Sequence, residues 1–375
     1  LLVLLIGREV WGPAADWVAV AWLAPLFAVI AMTLVRRDIH FLVQTLALSA
    51  LIFFWSLGVS IPARLVELSA DYRIWAVLPV IIVFYGIFAA VYIKRRKPAE
   101  SEKARYINWG RDVYSWAASI LLVALATVEV NEVSDALTTA VWIVMVLALF
   151  ETGSALKNRS FWMQAHLLMI ASCLRTGYYN VPDSLGPVLF LDGREASLLL
   201  LAVSLIYLYL RLYRSEDKSL IELPERFWGV VYSYLGVLSL LVLAVVGAPD
   251  RAWIPTAWAL IALLSMVFGM IVRDRHPLIQ SFALIFPIVV TCLAYGFIAA
   301  EGEVMGISLR KMTAGGTIFF MFLSKIAWHV ALGRPDIRKI VNIKEKTLTV
   351  SRHAFSIPAA LMLTALIYLD WSQNY

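Results

Sequence analysis

Three tryptophans, three glutamines and three arginines recur along this chain in one register. Trp22, Trp142 and Trp258 each precede a glutamine by 22 residues, at Gln44, Gln164 and Gln280. An arginine follows each glutamine by 29 or 30 residues, at Arg73, Arg194 and Arg310. Within each period lie four hydrophobic runs of about 20 residues, the length a helix needs to cross the hydrocarbon of a bilayer. A fixed period that carries the same set of runs points to a duplicated supersecondary module. The expected fold class is an all-α integral membrane protein of about 13 transmembrane helices, arranged as tandem parallel four-helix repeats.

With the helices of a repeat lettered A to D, the runs fall at 1–12, 17–36, 39–60 and 73–95, then at 109–130, 136–156, 160–179 and 194–213. A third set falls at 227–247, 252–272, 277–299 and 309–332, and one last A helix at 353–370. The A helices carry their own marker: Tyr114-Ser115, Tyr232-Ser233 and Phe355-Ser356 each stand before an apolar run. The domain expectation is repeat 1 over 1–105, repeat 2 over 106–222, repeat 3 over 223–345, and 346–375 as the opening of a fourth. The chain starts Leu-Leu-Val-Leu-Leu-Ile, with neither the basic segment nor the small-residue cleavage site of a signal peptide. On this reading it begins within a helix, and more sequence is expected upstream.

Composition agrees. Residues are 61% hydrophobic and only 15% charged, where a soluble domain carries about 25% charged residues. Aromatic residues flank many of the runs, among them Trp17, Trp75, Trp109, Trp228, Trp253 and Trp371, as expected of a belt at headgroup depth. The net charge of +6 does not point to nucleic acid, because the cations are gathered in short loops. Arg36, Arg37, Lys157, Arg159, Arg273 and Arg275 lie between helices B and C, and most of the remaining cations lie between D and the next A. The positive-inside rule then puts B–C and D–A loops in the cytoplasm and the C-terminus outside.

Polar residues at membrane depth are the first candidates for function. Gln44, Gln164 and Gln280 read as a polar pathway or as repeated helix-packing bonds; the second explains three copies without any substrate. Arg73, Arg194, Arg310 and Arg175 read as interfacial anchors, with Asp71 and Asp192 each two residues before an arginine. Glu151, Lys325 and His329 form a candidate intramembrane polar site. Glu151 and Lys325 are expected at similar depths, where an unpaired charge is costly, so they are candidate partners. Of the histidines, His166 and His329 fall within helices, yet no matched pair supports a haem. No metal spacing, phosphate loop or nucleophile elbow is present, so no catalytic residue, metal or cofactor is expected. Cys173 and Cys292 read as small apolar residues.

The runs Arg159-Ser-Phe-Trp-Met-Gln-Ala-His-Leu-Leu and Gly193-Arg-Glu-Ala-Ser-Leu-Leu-Leu-Leu-Ala-Val-Ser-Leu-Ile-Tyr-Leu-Tyr-Leu-Arg resemble a large bacterial family of many-helix predicted membrane proteins that carry a domain of unknown function. The resemblance is diffuse, spans nearly the whole chain and implies a bacterial inner membrane, but it carries no catalytic residue with it. The expected function is a non-enzymatic scaffold or accessory subunit of a membrane complex, with membrane lipids and other membrane subunits as partners and no nucleic acid. A transporter or channel using Glu151, Lys325 and His329 is the first alternative. Envelope lipid or glycan processing is the second.

Overall fold

The computed structural model describes residues 18–36, 39–61, 71–94, 102–180, 187–188, 191–214, 223–298, 302–304, 307–334 and 353–374, with the single positions 300, 337 and 351. The expected helix over 1–12 lies outside the described residues. The helices are α1 (Val18–Ala21), α2 (Leu23–Arg36), α3 (Ile39–Trp55), α4 (Asp71–Lys94), α5 (Glu102–Val133), α6 (Asp135–Leu156) and α7 (Arg159–Arg175). There follow α8 (Gly193–Arg214), α9 (Leu223–Val246), α10 (Ile254–Val272), α11 (Arg275–Ala283), α12 (Ile285–Thr291), α13 (Leu309–Gly333) and α14 (Ser356–Asn374). Among the described residues, nine helical spans are long and apolar enough to cross a membrane. Val18–Thr33 and Ser356–Leu369 are apolar but shorter.

Two helix breaks have a covalent cause. A proline cannot donate a hydrogen bond to the carbonyl four residues back, and its ring crowds that carbonyl. Pro25 therefore ends α1 at Ala21, and Pro287 ends α11 at Ala283. Around each break the helical bonds resume, with Leu26 N donating to Trp22 O and Ile288 N to Leu284 O. Pro79 sits within α4 without interrupting it.

Two features depart from the purely α-helical expectation. Each C helix ends in a π-helical turn: Ser56–Ser60, Thr176–Asn180 and Cys292–Ile298. The C–D connections also hold small antiparallel hairpins. Pro187–Val188 pairs with Leu191–Asp192, and Glu303–Val304 pairs with Ile307–Ser308.

The chain divides into two compact units, Leu1–Asn180 and Val181–Tyr375. The division falls inside the 106–222 segment, between its third and fourth helices. In the N-terminal unit α4 packs along α5 and α6 along α7; in the C-terminal unit α8 packs along α9, α10 on α13, and α13 on α14. A D helix is thus joined to the A helix that follows it. Its buried face repeats with helical spacing: Ala76, Val77, Val80, Ile81 and Phe84 on α4, then Ser197, Leu198, Leu201, Ala202 and Leu205 on α8, then Thr313, Ala314, Thr317, Ile318 and Met321 on α13. The core of the C-terminal unit gathers Met266, Ile288, Met321, Trp328 and Phe355.

Candidate functional site: helix corners, buried glutamines and an open groove

The corner between helices B and C is built the same way in both units. Helix α6 ends at Lys157, with φ 50° and ψ 40°, and α10 ends at Arg273, with φ 60° and ψ 40°. These are the two non-glycine residues with positive φ among the described residues. The next residue caps the following helix: Asn158 Oδ1 accepts from Ser160 N at 2.9 Å, and Asp274 Oδ1 accepts from His276 N at 3.2 Å. So tight a corner presses the two helices together. A Cβ on Gly153 would stand 2.4 Å from Trp162 Cδ1, and one on Gly269 would stand 2.9 Å from Leu278 Cγ. The sequence signal is a basic–Asx pair at Lys157-Asn158 and Arg273-Asp274, also present at Arg37-Asp38. The residue-level reading above registered the basic residues but not this pairing, and Arg37-Asp38 lies outside the described residues.

Each corner receives a tyrosine from the preceding D helix. Tyr92 OH donates to Leu156 O at 2.5 Å. Tyr213 OH donates to Arg273 O at 3.1 Å, and Tyr209 OH donates to Asp274 Oδ2 at 2.5 Å. Lys325 and His329 occupy the corresponding positions on α13, counted from Arg310 as Tyr209 and Tyr213 are from Arg194. Lys325 is half-buried and His329 exposed. Glu151 is half-buried on α6, in the N-terminal unit, whereas Lys325 and His329 belong to the C-terminal unit.

The repeated glutamines differ in their surroundings. Gln164 is buried; its Nε2 donates to Ser115 Oγ at 2.9 Å and to Ser160 Oγ at 3.4 Å. Its Oε1 accepts from Ser119 Oγ at 2.6 Å, and Ser119 in turn meets Tyr85 OH at 2.8 Å. Gln280 is equally buried, and its Nε2 donates to Ser233 Oγ at 2.9 Å. Its Oε1 has no hydrogen-bond partner. Gln44 is exposed. The repeated tryptophans also tie helices together: Trp142 Nε1 donates to Thr127 Oγ1 at 2.8 Å and Trp258 Nε1 to Leu241 O at 3.1 Å. Trp22 is buried with its ring edge-to-face on Trp55, 5.3 Å between centroids.

The arginines sit where helices begin or end, each with different company. Arg73 Nη2 meets Glu132 Oε1 at 2.6 Å, and Nη1 lies 3.7 Å from Glu129 Oε1, both carboxylates standing on α5. Arg194 bonds the neighbour expected from sequence: Nη2 lies 2.7 Å and Nε 2.8 Å from Asp192 Oδ2. That guanidinium holds the Asp192 carboxyl below its ordinary value of 3.8. Arg175 Nη2 donates to Asn131 Oδ1 at 3.0 Å, with its guanidinium over the rings of Trp142 and Tyr179. Arg310 Nε is buried without a hydrogen-bond partner.

Among the described residues, no three His, Cys, Asp or Glu side chains converge to hold a metal ion. Cys173 is half-buried and Cys292 buried, both as free thiols. An open groove of about 430 Å³ lies within the C-terminal unit, lined largely by apolar residues of α8, α9, α10 and α13, including Leu199, Leu243, Ala257, Leu260 and Phe320. Glu195 is the one charged residue in its lining. The sequence reading missed this groove, because its lining comes together only through the packing of four helices.

No protein-family model, curated protein or solved structure matches the chain. The helical fold, with nine membrane-length apolar spans among its described residues, fits the class of multi-pass membrane proteins.

Proposed function

We propose that this protein is a non-enzymatic scaffold or accessory subunit of a membrane complex, set in a bacterial inner membrane. In this reading about thirteen helices form tandem parallel four-helix modules, with the B–C and D–A loops cytoplasmic and the C-terminus outside. The observation that carries it is the contact between each D helix and the next corner, where Tyr92 donates to Leu156 O in one unit and Tyr213 to Arg273 O in the other. Polar side chains at both places join one module to the next. Gln164 with Ser115, Gln280 with Ser233, and the two tryptophan bonds spend polar groups in the same way. Lys325 and His329 stand on α13 where Tyr209 and Tyr213 stand on α8, which suits a face that receives a partner's helix corner.

A transport pathway through Glu151, Lys325 and His329 would need all three around one cavity, and the groove is lined by none of them. The test is purification from native membranes in a gentle detergent, followed by mass spectrometry of what co-migrates. A stoichiometric membrane partner, lost when Lys325→Ala and His329→Ala are combined, is the expected result. A protein that migrates alone with every wash condition overturns the scaffold reading.

A further inference from the structure

The geometry points to the groove of the C-terminal unit as a binding site for a phospholipid with a primary ammonium headgroup, held by Glu195. This does not rest on the scaffold reading.

The groove has the depth profile of a lipid. Its mouth lies where the apolar spans stop and start: Gly193 begins one span, Val246 ends another and Arg251 begins a third. Glu195, Gly247, Pro249 and Trp253 line that end. From there Leu199, Leu243 and Leu260 carry the lining inward. Phe320 lies ten residues into α13 beyond Arg310, about 15 Å at helical rise. A chain that enters from the boundary therefore meets hydrocarbon along its length and a carboxylate at its head.

The charge selects the head. Glu195 makes no hydrogen bond or ion pair among the described residues, whereas the neighbouring Arg194 is engaged by Asp192. Glu195 also lies in the first turn of α8, where the positive end of the helix favours negative charge. An anionic headgroup would be repelled there, and an ammonium would complete an ion pair at the edge of a low-dielectric region. An ammonium with its three protons also offers donors that a quaternary amine lacks.

Glu195 lies against a residue that has no side chain. A Cβ on Gly247 would stand 3.3 Å from Glu195 Oε1. Counting from the Tyr-Ser markers Tyr114-Ser115 and Tyr232-Ser233, Gly247 corresponds to Glu129 of α5. There the carboxylate stands on α5 and its arginine on α4. In the C-terminal unit the carboxylate stands on α8, and glycine leaves the facing position open.

The experiment is lipid retention by the full chain. Protein is reconstituted in an equimolar mixture of phosphatidylethanolamine, phosphatidylglycerol and phosphatidylcholine, then extracted, and the retained lipids are read by native mass spectrometry. Phosphatidylethanolamine should be enriched about fivefold over phosphatidylglycerol, the ratio expected of one exposed-to-interfacial ion pair. Glu195→Gln should abolish the preference, Glu195→Asp should keep it, and Gly247→Leu should lower total retention. Thermal melting of each variant separates loss of the site from loss of the fold. Equal retention of the three lipids, or an unchanged preference in a folded Glu195→Gln protein, overturns the assignment. Enrichment of phosphatidylcholine equal to that of phosphatidylethanolamine overturns the primary-ammonium part.

Discussion

Gln164 on α7 and Gln280 on α11 each stand 22 residues after a tryptophan, Trp142 and Trp258, but their carbonyls have different fates. Gln164 Oε1 accepts from Ser119, which continues to Tyr85. Counted from the Tyr-Ser markers and from Arg73 and Arg194, the matching positions of the C-terminal unit are Val237 and Ile206. Neither offers a donor, so Gln280 Oε1 is left without one. What both units keep is the bond from the glutamine amide to a serine of the A helix. That bond joins helix to helix, whereas the longer chain of hydroxyls belongs to one unit alone. A feature found in both units reads as structural, and a feature present in one reads as local elaboration.

Four measurements break or sharpen this comparison. The largest effect is expected at the corners, where the units agree. Gly153→Leu and Gly269→Leu each force atoms into space already held by Trp162 or Leu278, and overpacking of this kind costs about 1–3 kcal/mol or more. Fluorescence-detected size exclusion should show loss of the monodisperse peak for both. Normal elution and melting of both variants would mean the helices do not approach so closely.

The second measurement separates the two glutamines. Removal of Gln164 strands Ser119 and Ser115 and should destabilise by about 1–3 kcal/mol, while Gln280→Leu also removes an unsatisfied carbonyl and should cost less than about 1 kcal/mol. Paired melts in one detergent decide it, and equal losses would erase the distinction drawn between the units.

The third repairs the poorer site. Val237→Ser supplies the missing donor and should stabilise by about 0.5–1.5 kcal/mol, within the range of hydrogen bonds between membrane helices. The gain should vanish in a Gln280→Leu background, as a double-mutant cycle would read. A gain that survives there comes from something other than the glutamine.

The smallest effect is at Asp192. Its folded carboxyl is depressed by Arg194, so its contribution is present above the ordinary value of 3.8 and is lost as pH falls through the lower folded value. The melting difference between the native chain and Asp192→Asn should therefore be present at neutral pH and disappear in acid. A difference independent of pH would assign the residue a role other than its charge.

Much of the helical layout was legible because hydrocarbon thickness fixes the length of an apolar run. Gln164 and Gln280 read as packing residues because an amide at depth needs a partner; Trp142 and Trp258 read only as markers of the period. Other features left little trace. The positive φ at Lys157 and Arg273 falls on residues that do not favour it, so the only trace of the turn is the Asx cap that follows each, Asn158 and Asp274. The π-helical turns reflect a change in hydrogen-bond register that hydropathy does not record. Arg73 was read with Asp71 in view, but the acidic residues it reaches, Glu129 and Glu132, lie on the next helix, and only the packing of α4 on α5 brings them there. The groove was hidden for the same reason: only the packing of α8, α9, α10 and α13 brings its lining together.

The left-handed corners have a consequence for how such a chain enters a bilayer. Glycine would adopt that backbone without penalty, while a lysine or arginine in it carries a cost of about 1–2 kcal/mol. Lys157 and Arg273 accept that cost and hold a cation at the hairpin tip. A tip that is charged resists being drawn through hydrocarbon, which in the proposed topology would hold each two-helix hairpin by its closed end. In the proposed topology the turn itself would then carry part of the signal for direction of insertion, and a glycine there would make a more relaxed hairpin with a weaker signal.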